Sequence, residues 1–152
     1  MAGMKASIAA THLAPASHLQ WRTTPITFKV KSAEKPKSPP AGKDEAAKSQ
    51  AAGVQRASAP PGSLSLELNT LTIGQLHVLH VPGECFIEFQ LFAQQLLPTH
   101  CVAVAACCDN APGYVCTEKA FSEGGYEPTA SRVAPDSEHA LKAAIRQALG
   151  VN

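Results

Sequence analysis

Residues 32–62, SAEKPKSPPAGKDEAAKSQAAGVQRASAPPG, contain one large apolar side chain, Val54. Pro, Ala, Ser, Gly and Lys dominate the rest. Such a stretch buries too little apolar surface to offset the entropy lost on ordering it. It reads as a disordered linker, and its lysines as solvation rather than a binding patch. Any core must come from the flanking residues, chiefly 64–150.

The linker also marks a change in charge. Residues 1–63 hold nine Lys/Arg against three Asp/Glu, and residues 64–152 hold four against nine. The net of +1 gives no reason to expect a nucleic-acid partner. No apolar run approaches the roughly 20 residues of a transmembrane helix. The stretch Ala6–Ala10 after Lys5 is shorter than the roughly 7–15 residues of a signal-peptide core. No secretion signal is therefore expected, and the cytoplasm is the default compartment. Residues 1–31 read as a weakly ordered segment with a single strand around Ile26–Val30, Trp21 packing on the folded part, and His12 and His18 as isolated surface histidines. The five cysteines show no CxxC spacing, so reduced core thiols are expected.

From Leu64 the pattern becomes that of an α/β fold. Leu64–Ile73 and Leu76–Val81 alternate as half-buried strands, with a turn at Gly74-Gln75. Phe86, Phe89, Ala93 and Leu96 recur at helical spacing, with Ile87 and Leu97 widening the stripe. This predicts a mostly buried helix ended by Pro98. The run CVAVAACC, residues 101–108, predicts a strand buried on both faces. A loop of about 26 residues follows. The last segment is an amphipathic helix with Leu141, Ala144, Ile145, Ala148 and Leu149 on one face. Pro135 stands at its first position, Glu138 and Lys142 form an i,i+4 pair, and Gly150 caps its end. The expected fold is a partial mixed sheet of three or four strands with two packed helices, preceded by a disordered N-terminal third.

Sites in such sheets lie at the carboxyl ends of the strands. If Leu76–Val81 and Cys101–Cys107 are parallel neighbours, with the helix between them as crossover, the loops Pro82–Glu84 and Asp109–Tyr126 emerge side by side. Glu84 then faces Tyr114. By itself Glu84 reads as an acid favoured in the first turn of a helix. Its other reading is a metal ligand or catalytic acid. Tyr114 and Tyr126 are the only tyrosines, both in the long loop. A loop tyrosine covers a core edge, or its phenolate ligates a metal. His77 and His80 fall on opposite faces of a strand and make a poor chelating pair. His80 reads as a satisfied strand-end histidine.

The ordered series His80-Val81-Pro82-Gly83-Glu84, Asn110-Ala-Pro-Gly-Tyr114-Val-Cys-Thr117 and Gly125-Tyr126-Glu127 resembles the neutral (non-lysosomal) ceramidase family, most closely its divergent bacterial type. The resemblance runs from about Leu64 to Leu149. It implies a zinc-dependent amidase acting on a lipid N-acyl amide, with Glu84 and Tyr114 as metal ligands and Asn110, Tyr126 and His80 around them. The family's two histidine ligands and its serine- and arginine-bearing segments have no counterpart here. The resemblance therefore implies the C-terminal part of the catalytic domain, carrying half a zinc site and inactive alone. Its partner would be the missing N-terminal part, or a second copy through self-association. The alternative is a non-enzymatic interaction module, or a subunit of a split hydrolase, whose exposed sheet edge binds a partner strand.

Overall fold

The computed structural model describes residues 2–11, 13, 16, 18–31, 61–108 and 112–151 of the 152. Nearly all of the expected linker, His12 and Asn110 lie outside the described residues. The elements are α1 (Ala2–Ala9), β1 (Leu19–Lys29), β2 (Ser63–Ile73), β3 (Leu76–Pro82), β4 (Glu84–Cys85), α2 (Ile87–Leu96), β5 (Cys101–Cys108), β6 (Tyr114–Val115), α3 (Glu118–Glu123), α4 (Tyr126–Ala130) and α5 (Ser137–Leu149). The main sheet has the order β1-β2-β3-β5, and β4 and β6 form a separate two-stranded sheet.

Alternation sets the faces. On β1, Thr24, Ile26 and Phe28 are buried and their neighbours exposed. Their register partners on β2 are Leu68, Leu66 and Leu64, which continue the same face because directly opposed residues in an antiparallel pair point the same way. The hairpin turns at Gly74, as expected, and β3 adds Leu79 and Val81 to that face. Helix α5 packs on β1 and β2, and α2 packs on β5 and against α5. The core thus lies between one sheet face and two helices, with Phe28, Leu68, Leu79, Phe89, Leu141 and Ile145 wholly buried.

The expected mixed α/β architecture is present, including the parallel pairing of β3 with β5 around the α2 connection. Several particulars differ. The first strand starts at Leu19, seven residues before Ile26, because β1 pairs with β2 along all eleven residues. Trp21 lies on it and is 57% exposed, its ring 5.4 Å from that of His80. Helix α2 is less buried than its composition suggests. Phe89 and Ala93 face the core, whereas Ile87 and Leu91 face solvent. Strand β5 is an edge strand, not a two-sided core strand, and only Val102 is buried. Its alanines and cysteines are small enough to lie at an edge without exposing much apolar area. Of the cysteines, Cys116 is buried, Cys85 and Cys108 half-buried, and Cys101 and Cys107 exposed, and none is joined in a disulfide.

The expected long loop contains β6, α3 and α4. Thr117 starts α3 by accepting a hydrogen bond from the Ala120 amide at 3.2 Å. Helix α5 begins at Ser137, after Pro135 and Asp136, and Asp136 pairs with Lys29 at 2.6 Å. Its end is as expected. Gly150 has φ 70° and the Gly150 and Val151 amides return to the carbonyls of Gln147 and Arg146. No helix among the described residues is long and apolar enough to cross a membrane.

One polar pair sits inside the hairpin side of the sheet. His77, 8% exposed, has its Nδ1 3.1 Å from Thr72 Oγ1 and its Nε2 2.8 Å from His100 Nδ1. Burial, then the proximity of His100, hold the His77 pKa below its ordinary 6.5. In the unfolded chain His77 takes up a proton near 6.5, while in the fold it stays neutral to lower pH. Its contribution to stability is present above that value and is lost as pH falls below it. The melting temperature is expected to drop between about pH 7 and 5, and to drop less in His77→Gln. Thermal unfolding followed by circular dichroism across that range checks this, and equal slopes for the two proteins would contradict it.

Candidate functional site

The site begins where β3 ends. Val81 and Pro82 are buried, and Gly83 then adopts φ 112°, a region that favours glycine. A Cβ at Gly83 would lie 2.8 Å from Val115 Cγ2 and 3.0 Å from the Gly113 carbonyl oxygen. The absence of a side chain lets the loop after β3 touch the loop after β5. Two amide bonds fasten the contact. The Glu84 amide donates to the Gly113 carbonyl at 2.9 Å, and the Phe86 amide donates to the Val115 carbonyl at 3.2 Å. The Cys107 amide meanwhile donates to the Gly83 carbonyl at 2.7 Å, tying β5 to the same turn.

These bonds make β4 and β6 parallel, with Glu84 opposite Tyr114 and Cys85 opposite Val115. The two loops do emerge side by side. Glu84 is exposed and Tyr114 half-buried. The Glu84 carboxylate raises the Tyr114 pKa above its ordinary 10.0, first through its charge and further through a hydrogen bond from the phenol. Burial and the neighbouring Tyr126 push the same way. The Tyr126 ring stands edge-on to that of Tyr114, centroids 5.9 Å apart, at the start of α4. Tyr126 is 71% exposed.

His80 meets other partners. Its Nδ1 lies 3.8 Å from Cys108 Sγ, and its ring packs near Trp21. Burial pushes the Cys85 thiol up to about 12, and the nearby Cys107 and Cys108 add to that. Among the described residues, no group of three or more His, Cys, Asp or Glu side chains is placed to hold a metal ion. Glu84 and Tyr114 are thus two oxygen donors.

Sequence reasoning missed Ser131, which is buried and whose hydroxyl lies 2.9 Å from the Tyr114 carbonyl oxygen, donating to it, and accepts from the Val133 amide at 3.3 Å. It braces the backbone that carries the phenol. No sequence signal marked it, since a serine is common in loops and turns.

A helix-backed mixed sheet with an acid and a phenol at the ends of adjacent parallel strands is an α/β protein whose polar residues gather at the strand ends. No protein-family model matches the sequence, and no curated protein matches it. Solved structures do match its fold. A structure described as a ceramidase complexed with C2 superposes with a TM-score of 0.56 at 16% identity, over 89% of this chain and 31% of that one. A neutral ceramidase from Pseudomonas aeruginosa superposes with a TM-score of 0.48 at 18% identity, over 57% of this chain and 16% of that one. The second score is too low to bear an argument. The first shows that the fold is ceramidase-like, and that this chain spans about a third of that protein's length.

Proposed function

We propose that this chain supplies an acid–phenol pair to a ceramidase-like zinc amidohydrolase site acting on a lipid N-acyl amide, and that it does not turn over such an amide alone. The observation that carries the reading is the register pairing of Glu84 with Tyr114. The ceramidase-like fold supports it. A carboxylate and a phenol oxygen suit zinc, but a catalytic zinc site uses three protein ligands and an open position. Glu84 and Tyr114 would hold part of it, and imidazoles would come from a segment or subunit other than the described residues. When bound, the metal would activate water and polarise the amide carbonyl. The chain's own residues do the positioning. Gly83 and Ser131 set the two oxygens side by side, and Tyr126 shields the phenol on one edge.

The pair itself gives a test that needs no turnover. Glu84 raises the Tyr114 pKa, whereas a bound cation would lower it. In an ultraviolet titration without metal, one tyrosine is expected to ionise above 10.0. Glu84→Gln is expected to bring it down. Zinc is expected to lower the transition in the wild type and to do so less in Glu84→Gln. Identical curves with and without zinc would sink the metal reading. Turnover of a fluorescent N-acyl sphingosine by the isolated chain, abolished by Glu84→Gln, would overturn the claim of inactivity.

A second reading has its own observation. Leu19 is 72% exposed and Trp21 57% exposed on the sheet face away from α2 and α5. In this reading the chain is an interaction module or a subunit of a split hydrolase, and that face meets the remainder.

A further inference from the structure

We propose that β5 is an association edge through which two copies of this chain pair antiparallel, joining their four-stranded sheets into one. The inference goes beyond the zinc reading and does not depend on it.

Among the described residues, the order β1-β2-β3-β5 leaves two edges. They are not alike. β1 carries Pro25 near its middle, together with Arg22 and Lys29. Proline removes an amide donor and charge discourages pairing, which are common ways of blunting an edge. β5 has the sequence CVAVAACC, with no proline, glycine or charge. Short uncharged segments of this kind are the ones that pair with further strands.

The pairing capacity of β5 can be read from its bonds. Along a strand, successive residues direct their amide and carbonyl to alternate sides. The Cys101 amide bonds to the Gln75 carbonyl at 3.0 Å, on the β3 side. Val102, Val104 and Ala106 therefore direct theirs outward. The Val102 carbonyl confirms this, since it accepts from Gln94 Nε2 at 3.1 Å rather than from β3. This bond covers one carbonyl and leaves Val104 to a partner strand. Beyond Ala106 the irregularity at Cys107, with φ 59°, ends the regular stretch.

The second copy is the occupant that this edge fits. The outward residues are centred on Val104. A two-fold axis there sets Val104 opposite its own copy, with donors facing acceptors, and sets the Val102 amide opposite the Ala106 carbonyl, while the Val102 carbonyl stays with Gln94. Such an isologous contact is self-complementary. With no charge on the strand, the two copies meet without like-charge repulsion. On the sheet face away from the helices, exposed Ala103 then lies opposite half-buried Ala105 of the other copy. Both side chains are small enough to permit close approach.

That register supplies the test. Sedimentation velocity of the full chain under reducing conditions, over a concentration series, is expected to show a reversible dimer. Ala103→Lys with Ala105→Lys places like charges opposite each other twice and is expected to weaken association by roughly tenfold or more. Ala103→Glu with Ala105→Lys places opposite charges across the axis and is expected to restore it. Unchanged circular dichroism in both variants shows that the fold is kept. A wild type that stays monomeric throughout the series overturns the proposal, as does a dimer indifferent to the paired lysines. A Glu/Lys variant that remains monomeric overturns the register.

Discussion

Phe89→Ala is expected to lower the free energy of unfolding by about 3–5 kcal/mol, the range for emptying a buried aromatic site. Small domains hold only about 5–15 kcal/mol in all, so the loss is a large share of what keeps this one folded. The position matters because α2 has few anchors. Phe89 and Ala93 are its only buried residues, and both belong to the cluster containing Leu141 and Ile145. Phe86, Phe92 and Leu96 pack against that cluster only in part. Since α2 links β3 to β5, loosening it also loosens the parallel pair that aligns the two site loops. Urea unfolding monitored by circular dichroism gives the number. A loss below about 1 kcal/mol would mean that the site collapses easily and that α2 is held by something other than Phe89.

How much of this was legible beforehand depends on what each residue pattern encodes. Alternation at several points in residues 64–81, with the Gly74-Gln75 turn, indicated the hairpin, and helical periodicity indicated α5. The parallel pairing of β3 with β5 followed from a helix standing between two strands. That logic also brought Glu84 beside Tyr114, because neighbouring parallel strands put their following loops at one end of the sheet. An apolar run, however, does not say how many layers cover it. CVAVAACC has the composition of a core strand but lies at an edge, because small side chains are tolerated in either place. Ile87 looked like core for the same reason and faces solvent. The early start of β1 was hidden by Pro25, which weakens a strand signal while leaving an edge strand feasible. Ser131 was invisible because its role is a contact across 17 residues with the Tyr114 carbonyl.

Gly83→Ala is expected to cost about 3 kcal/mol and to uncouple Glu84 from Tyr114. Two separate effects add. A residue with a Cβ is strained at φ 112°. Its Cβ would also meet Val115 Cγ2 at 2.8 Å, the Gly113 oxygen at 3.0 Å and Pro112 Cδ at 3.4 Å. The turn cannot simply back away, since the Gly83 carbonyl accepts the Cys107 amide at 2.7 Å. The two loops must therefore part, and the β4–β6 pairing with them. Gly124→Ala separates the two effects. Gly124 has φ 80° but nothing within 4 Å of an added Cβ, so it should show the backbone strain alone, about 1–3 kcal/mol. Denaturant unfolding of both variants, with the tyrosine titration run beside it, makes the comparison. Gly83→Ala should bring the Tyr114 transition down toward 10.0, because its rise depends first on the Glu84 charge. Gly124→Ala should leave that transition in place. If the two substitutions cost the same and neither moves the phenol, the close approach at Gly83 is not what holds the acid and the phenol together.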